Sequence, residues 1–227
     1  MTGMLASVTS VDEALLVLDA QVDIIDLKQP SAGALGALPL SLINEIVGHC
    51  QGRCPISATI GDLPLQATPV LNAVMALSET GIDYIKIGFF PDGDPLNTLA
   101  ALAEVSPHLS LIAVLFADQV FDLTLLGQLK KAGFKGVMLD TMNKQHGSLM
   151  QHLAYDQLAQ FVLLSKQLHL LCGLAGSLRQ SDIPELLTLQ PDYLGFRGAL
   201  CLHHERTATL NKAAVAQIRK RIFSSIP

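Results

Sequence analysis

Charge is scarce in this sequence. Only 15% of its 227 residues are Asp, Glu, Lys or Arg, and the formal net charge is -5. No run of basic residues marks a face for a phosphate backbone, so nucleic acid is not an expected partner. Cysteine is sparse as well: Cys50, Cys54, Cys172 and Cys201 are too few and too scattered for a disulfide framework. Cys172 and Cys201 lie in apolar, strand-like runs and read as reduced core thiols. Long apolar runs are also missing. The longest, Leu109 to Ala117, is about half of the roughly 20 residues that a membrane-spanning helix needs, and Ser110 interrupts it. The opening MTGMLASVTS has neither a basic stretch nor the extended apolar segment of a signal peptide. The expectation is a cytoplasmic protein without membrane contact.

Apolar residues are what the sequence has in quantity: they make up half of the chain, and the mean hydropathy is +0.41. A chain of this length and composition is expected to form one domain, residues 1–227, burying roughly 70–75% of its unfolded surface. Short β-rich runs recur from end to end: Met4 to Val8, Ile24 to Lys28, Ile56 to Ile60, Tyr84 to Phe89, Leu111 to Ala117, Gly136 to Asp140, His169 to Gly173 and Tyr193 to Ala199. Between them lie segments with helical spacing and start or stop signals. Ser10 with Glu13 forms a capping-box pattern before the first helix. Thr68-Pro69 and Asp94-Pro95 open later ones, and Gly81 and Gly133 end two. The strand starts are about 27 residues apart, enough for a strand, a helix of three turns and two short loops. The first turn, SVTSVDE, has no glycine, unlike the fingerprint of an open dinucleotide-binding sheet. Eight near-equal β/α units predict an α/β fold closed as a (β/α)8 TIM barrel.

In such a barrel the chemistry sits at the carboxyl ends of the strands. There the sequence places Asp26 and Lys28 on strand 2, Lys86 on strand 4, and Asp140 at the end of strand 6, with Lys144 four residues on. Asp62 and Asp118 end strands 3 and 5. Side chains alternate along a strand, so Asp26 and Lys28 share a face, and the apolar Leu27 puts that face inside the barrel. Lysines inside apolar β runs cost several kcal/mol if they are buried without partners. Converging cations in a partly dry pocket push one another toward the neutral amine, which attacks carbonyls. The sequence therefore predicts Schiff-base chemistry, with Asp26 and Asp140 moving protons or pairing with the lysines.

The late glycines suggest the other half of a site. Gly173, Gly176 and Ser177 follow strand 7, and Arg197, Gly198 and Ala199 lie at strand 8, the two positions where barrels often hold phosphate on backbone N–H groups. A phosphorylated small molecule is the expected substrate. Arg197 is placed either on that phosphate or on a barrel carboxylate. His49, Cys50 and Cys54 lack a second pair at zinc spacing, so no metal is expected. His203-His204-Glu205 reads as a polar loop before the last helix.

The blocks DIIDLKQPSAGALGA (Asp23 to Ala37), SATIGD (Ser57 to Asp62), DYIKIGF (Asp83 to Phe89), GVMLDTMNK (Gly136 to Lys144) and YLGFRGALC (Tyr193 to Cys201) together resemble the (5-formylfuran-3-yl)methyl phosphate synthase family. The resemblance runs from strand 1 to strand 8. It implies a (β/α)8 barrel that condenses two molecules of glyceraldehyde 3-phosphate, releasing one phosphate and two waters, on the way to methanofuran and without metal or organic cofactor. It also implies that Lys28 is the Schiff-base lysine. Lys86, Lys144, Asp26 and Asp140 match the positions for the remaining acid, base and phosphate-handling roles. The stretch CLHHERTATL after Arg197 departs from the glycine-rich pattern of the family.

Other readings compete with this one. Another Schiff-base sugar-phosphate aldolase would use the same lysine but form no furan, and a non-catalytic barrel would bind sugar phosphate without a trappable imine. The Asp-x-Lys-x-x-Asp pattern of decarboxylase barrels fails at Ser31. Exposed helix faces rich in Ala and Leu allow a homo-oligomer.

Overall fold

A computed structural model of the chain describes residues 1–144 and 146–224; residue 145 and residues 225–227 of the expected domain lie outside the described residues. Eight parallel strands close into a barrel in sequence order: β1 (Gly3–Val8), β2 (Ile24–Leu27), β3 (Ile56–Thr59), β4 (Tyr84–Gly88), β5 (Leu111–Phe116), β6 (Gly136–Asp140), β7 (Leu171–Leu174) and β8 (Tyr193–Phe196), with β8 pairing back onto β1. The crossovers carry α1 (Val11–Asp19), α2 (Leu40–Cys50), α3 (Ala67–Ser78), α4 (Pro95–Val105), α5 (Leu125–Lys131), α6 (Leu149–His152), α7 (Tyr155–Gln167), α8 (Ile183–Thr188) and α9 (Lys212–Ser224). The (β/α)8 expectation holds. Among the described residues no helix is long and apolar enough to cross a membrane.

The differences from the expected elements have local causes. His169 takes a left-handed φ of 52°, so β7 begins at Leu171 rather than at 169. Arg197 leaves the extended region (φ -135°, ψ -69°) and the chain turns into a 3-10 segment, Gly198–Leu200, which ends β8 at Phe196. Helix α6 has no counterpart in the sequence reading. It is one turn long; Gln151 Oε1 accepts from the Ser148 N–H at 2.8 Å, and the Ser148 carbonyl accepts from the Gln151 N–H at 2.9 Å. All four cysteines are buried and free, and burial pushes the Cys172 thiol up to about 12.

Strand alternation divides the apolar residues into two cores. Met4, Ala6, Val8, Ile25, Leu27, Ile85 and Ile87 point outward against a shell of helix residues such as Val17, Ile43, Val74, Leu102, Phe161 and Ile222. Leu5, Ile112, Val114, Phe116, Met138 and Tyr193 fill the interior. The interior positions that remain, Ser7, Asp26, Ser57, Thr59, Lys86 and Asp140, are polar and buried. Burying so many polar groups requires partners for each, and their arrangement is the site.

Three aspartates fix the register at the opposite end. Asp23, Asp83 and Asp192, each just before an even-numbered strand, accept a hydrogen bond at 2.7 Å from Met4, Ile56 and Cys172 of the preceding odd-numbered strand. The IDY and PDY sequences before β4 and β8 are therefore structural hooks, at the pole away from the chemistry.

Candidate active site

The polar interior opens into a cavity of about 620 Å³ at the carboxyl ends of the strands. Asp26, Lys28, Lys86, Asp140 and Lys144, expected from the sequence to converge, all line it, as do Gly176, Ser177, Arg197, Gly198 and Ala199. Gly173 does not. It lies lower on β7, where a Cβ would overlap the ring of Tyr193, so it is glycine to make room inside the barrel and, contrary to expectation, does not face the cavity.

Strand register builds the first cluster. Ser7 on β1 and Ser57 on β3 are the register partners of Asp26 on β2, and each donates its hydroxyl to that carboxylate at 2.7 Å, Ser7 to Oδ2 and Ser57 to Oδ1. Lys86 Nζ from β4 donates to Oδ1 at 2.8 Å. Asp26 is wholly buried. Burial alone would raise its pKa, but the Lys86 and Lys28 ammoniums and the donated hydrogen bonds outweigh it, and the carboxyl is held below its ordinary value. Burial pulls the Lys86 pKa down, with Lys28 adding to the shift and Asp26 opposing it.

The second cluster faces the cavity. Asp140 Oδ1 accepts from Lys144 Nζ and, at 2.8 Å, from the backbone N–H of Thr141. Oδ2 accepts no hydrogen bond among the described residues; its neighbour is Lys28 Nζ at 3.5 Å. Against the effect of burial, Lys144 and Lys28 hold the Asp140 carboxyl well below the usual carboxylate range. Burial brings the Lys144 ammonium down to about 8, with Lys28 and Arg206 adding to the shift and Asp140 opposing it. Lys28 is the one lysine of the ring whose side chain makes no hydrogen bond among the described residues.

Backbone donors close the side formed by β7 and β8. Gly176 has φ +105°, and a Cβ there would crowd Thr141, so the position demands glycine; Ser177 follows at φ 51°. The N–H groups of Ser177, Gly198 and Ala199 donate to no acceptor among the described residues. Free N–H groups in consecutive turns form an anion-binding concavity.

Arg197, expected on the phosphate or on a barrel carboxylate, pairs with a carboxylate, that of Glu13 on α1. Its Nη1 donates to Glu13 at 2.6 Å and to the Ser7 carbonyl, its Nη2 to Glu13 at 3.2 Å and to the Ala208 carbonyl, and its Nε to the Arg206 carbonyl. All five N–H donors of the guanidinium are thus spent on the protein, and its side chain has none left for a phosphate. Glu13 comes from α1: its backbone N–H is capped by Ser10 as expected, but its carboxylate reaches back to Thr9 N–H rather than to Ser10 and then clamps Arg197.

The sequence reading did not single out Ser7, Ser57 and Arg206, and it read His204 as part of a polar loop, whereas His204 and Arg206 line the cavity and the two serines hold Asp26. For the serines a signal was present, since each is a polar residue at an interior position of an apolar strand. Asp62 and Asp118, noted as strand ends, hold neighbouring loops. Asp62 accepts from Ala34 and Leu35 N–H, and Asp118 from Met142 and Asn143 N–H. Among the described residues no group of three or more His, Cys, Asp or Glu side chains is placed to hold a metal ion.

Comparison with known proteins agrees over nearly the whole length. A family model described as 4-HFC-P synthase matches residues 4–219. A (5-formylfuran-3-yl)methyl phosphate synthase of Methanosarcina acetivorans is 30% identical over 217 residues, 90% of this chain and 93% of that protein. A protein of Methylorubrum extorquens, to which the same name is provisionally given, is 42% identical over 216 residues, 94% of this chain and 89% of its own. Among solved structures, phosphoribosyl anthranilate isomerase from Thermus thermophilus superposes with a TM-score of 0.69 at 14% identity, covering 99% of both chains. 3-Keto-L-gulonate-6-phosphate decarboxylase from Vibrio cholerae superposes with a TM-score of 0.68 at 13% identity, covering 100% of this chain and 99% of that one; at such identities these two likenesses concern the barrel alone. With a family match spanning β1 to α9, the chain belongs to the 4-HFC-P synthase family, the family of the enzymes named (5-formylfuran-3-yl)methyl phosphate synthase.

Proposed function

We propose that the chain condenses two molecules of glyceraldehyde 3-phosphate into (5-formylfuran-3-yl)methyl phosphate, releasing one phosphate and two waters, through a Schiff base on Lys28, in the cytoplasm and on the way to methanofuran. The observation that carries this reading is the division of labour among the lysines. Two carboxylates engage Lys86 and Lys144 by hydrogen bond, and Lys28 is left facing the cavity, 3.5 Å from a carboxylate oxygen that accepts no hydrogen bond among the described residues.

In this mechanism Lys28 Nζ attacks the aldehyde carbon of one triose phosphate, and water leaves to give an iminium. The iminium is the electron sink, so the route needs neither a metal nor an organic cofactor. Asp140 Oδ2, beside that nitrogen, takes the proton from the adjacent carbon. The enamine electrons then break the terminal C–O bond, and phosphate departs with the pair. Lys144, whose pKa of about 8 is close to neutrality, supplies the proton that the leaving phosphate or the later alkoxide takes up. The carbon nucleophile, C3 of the first triose, adds to the C2 carbonyl of the second triose phosphate in its ketose form, which glyceraldehyde 3-phosphate reaches by passing its C2 proton to C1, so that the phosphomethyl group branches from the new bond. A hydroxyl oxygen closes the ring, dehydration gives the furan, and hydrolysis of the imine frees Lys28. The N–H groups of Ser177, Gly198 and Ala199 are suited to hold a phosphate throughout.

The test is reduction with borohydride in the presence of glyceraldehyde 3-phosphate, followed by peptide mass mapping, together with assay of Lys28→Arg for ultraviolet-absorbing aldehyde and free phosphate. The expected outcome is added mass on Lys28 in the parent chain, and loss of both adduct and turnover in the variant with the barrel still folded. Undiminished turnover in Lys28→Arg excludes the covalent route.

A further inference from the structure

The proposed reaction uses two phosphorylated substrates, and the N–H groups at β7 and β8 form one anion site, so a second phosphate needs a cation elsewhere in the same cavity. Most of the cations lining it are already committed. Lys86 and Lys144 are hydrogen-bonded to carboxylates, Lys28 is the proposed nucleophile, Arg197 has spent all five donors, and Arg179 is exposed on the rim. Arg206 is different. It lines the cavity and is partly buried, yet among the described residues it makes no ion pair and only one side-chain hydrogen bond, from Nη2 to the Gly33 carbonyl at 2.9 Å.

We infer that Arg206 binds the phosphate of the second triose phosphate, the ester that survives in the product, and so selects a phosphorylated triose as the acceptor. This inference rests on the reaction proposed above.

Three features support it. A guanidinium has five N–H donors in a planar fork that suits two phosphate oxygens, and here a carbonyl takes one of them. The cavity lining carries six Lys and Arg side chains, Lys28, Lys86, Lys144, Arg179, Arg197 and Arg206, against three carboxylates, Asp26, Asp140 and Asp182, an excess that suits an anionic ligand. Arg206 is also braced from both sides. Its carbonyl is held by Arg197 Nε at 2.8 Å, and its fork rests on Gly33. Gly33 lies in the β2 loop that Asp62 anchors through Ala34 and Leu35. The ligand-binding end is thus fixed between the β8 and β2 loops, next to the strand that carries Lys28.

The experiment compares the parent chain with Arg206→Gln and Arg206→Lys. In the first arm, glyceraldehyde 3-phosphate competes with excess unphosphorylated dihydroxyacetone, and the ratio of phosphorylated to unphosphorylated furan aldehyde is measured by mass. The expected result is a strong preference for the phosphorylated product in the parent, about a tenfold or greater fall in that ratio in Arg206→Gln, and partial recovery in Arg206→Lys. The borohydride adduct on Lys28 still forms in both variants. The ratio is internal to each sample, so partial loss of folded protein does not change it; a purely structural latch on the β2 loop lowers the melting temperature and leaves the ratio where it was, which overturns the inference. In the second arm, inorganic phosphate is titrated calorimetrically into each chain without substrate. Two sites are expected in the parent and one in Arg206→Gln; the same number in both overturns the inference whether or not the parent makes a furan. Absence of a Lys28 adduct in the parent, with the site count still falling, overturns the reaction and leaves the phosphate assignment standing.

Discussion

The two aspartates of the barrel interior have the same side chain and nearly the same burial, yet they are wired differently. Both oxygens of Asp26 accept hydrogen bonds, Oδ1 from Ser57 and Lys86 and Oδ2 from Ser7, and the group has no exposed surface. One oxygen of Asp140 holds Lys144 and a backbone N–H, while the other stands beside Lys28 with no hydrogen bond among the described residues. A buried carboxylate hydrogen-bonded through both oxygens is a fixed negative charge. A carboxylate with one open oxygen next to an amine can exchange a proton with what the amine binds. The comparison therefore assigns Asp26 to holding Lys86 in place and Asp140 to the chemistry.

Asparagine at the two positions separates them. Asp140→Asn is expected to lower turnover by about 10²- to 10⁴-fold, the usual worth of a positioned acid or base, with a modest change in melting temperature because Lys28 and Lys144 face the cavity. Asp26→Asn leaves Lys86 buried without a counter-charge, and breaking such a pair costs about 3–5 kcal/mol of stability. Chemical denaturation and product assays on both variants read the two quantities. The contrast breaks if Asp26→Asn stays as stable as the parent while losing turnover.

The sequence made one of these roles far easier to see than the other. Cadence and strand alternation were enough to close eight units into a barrel and to point Asp26, Lys28 and Lys86 inward, because period-two patterning is a local signal. What joins Ser7, Ser57 and Asp26 is the register of three strands, and 50 positions separate the two serines along the chain, so no window of sequence contains the cluster. The same limit hid the clamp between Glu13 and Arg197, whose partners lie in the first and last β/α units. Gly173 misled for a related reason: glycine before a turn and glycine under an aromatic ring look alike until Tyr193 is placed. The ends β3 and β5 carry acids as the fold class suggests, but Asp62 and Asp118 hold loops, a use that residue type does not reveal.

A smaller effect lies in the pH dependence of stability. Lys144 releases its proton at about 8 in the folded chain and at the ordinary lysine value of 10.5 when unfolded. Between those values the unfolded state binds more protons, so the contribution of Lys144 to the unfolding free energy rises with pH across that window. Asp26 and Asp140 act at the other end. Their folded pKa values are depressed, so the stability they contribute is present above the ordinary carboxylate range and is lost as pH falls below it. Denaturation of Lys144→Met between pH 8 and 10.5 should show a flatter dependence than the parent, with the acid limb retained.

The smallest and most selective probe is Ser57→Ala. It removes one hydrogen bond to a buried carboxylate and leaves the Ser7 and Lys86 contacts in place, which is expected to cost about 1.5–3 kcal/mol in chemical denaturation. Ser57 does not touch Lys28 or Asp140, so turnover at a temperature well below melting should stay within a few-fold of the parent. Stability would then fall without the chemistry, as a sealed charge requires. If turnover falls in step with the lost hydrogen bond, the set of Asp26 contributes to the reaction itself, and the two aspartates cannot be divided between support and catalysis.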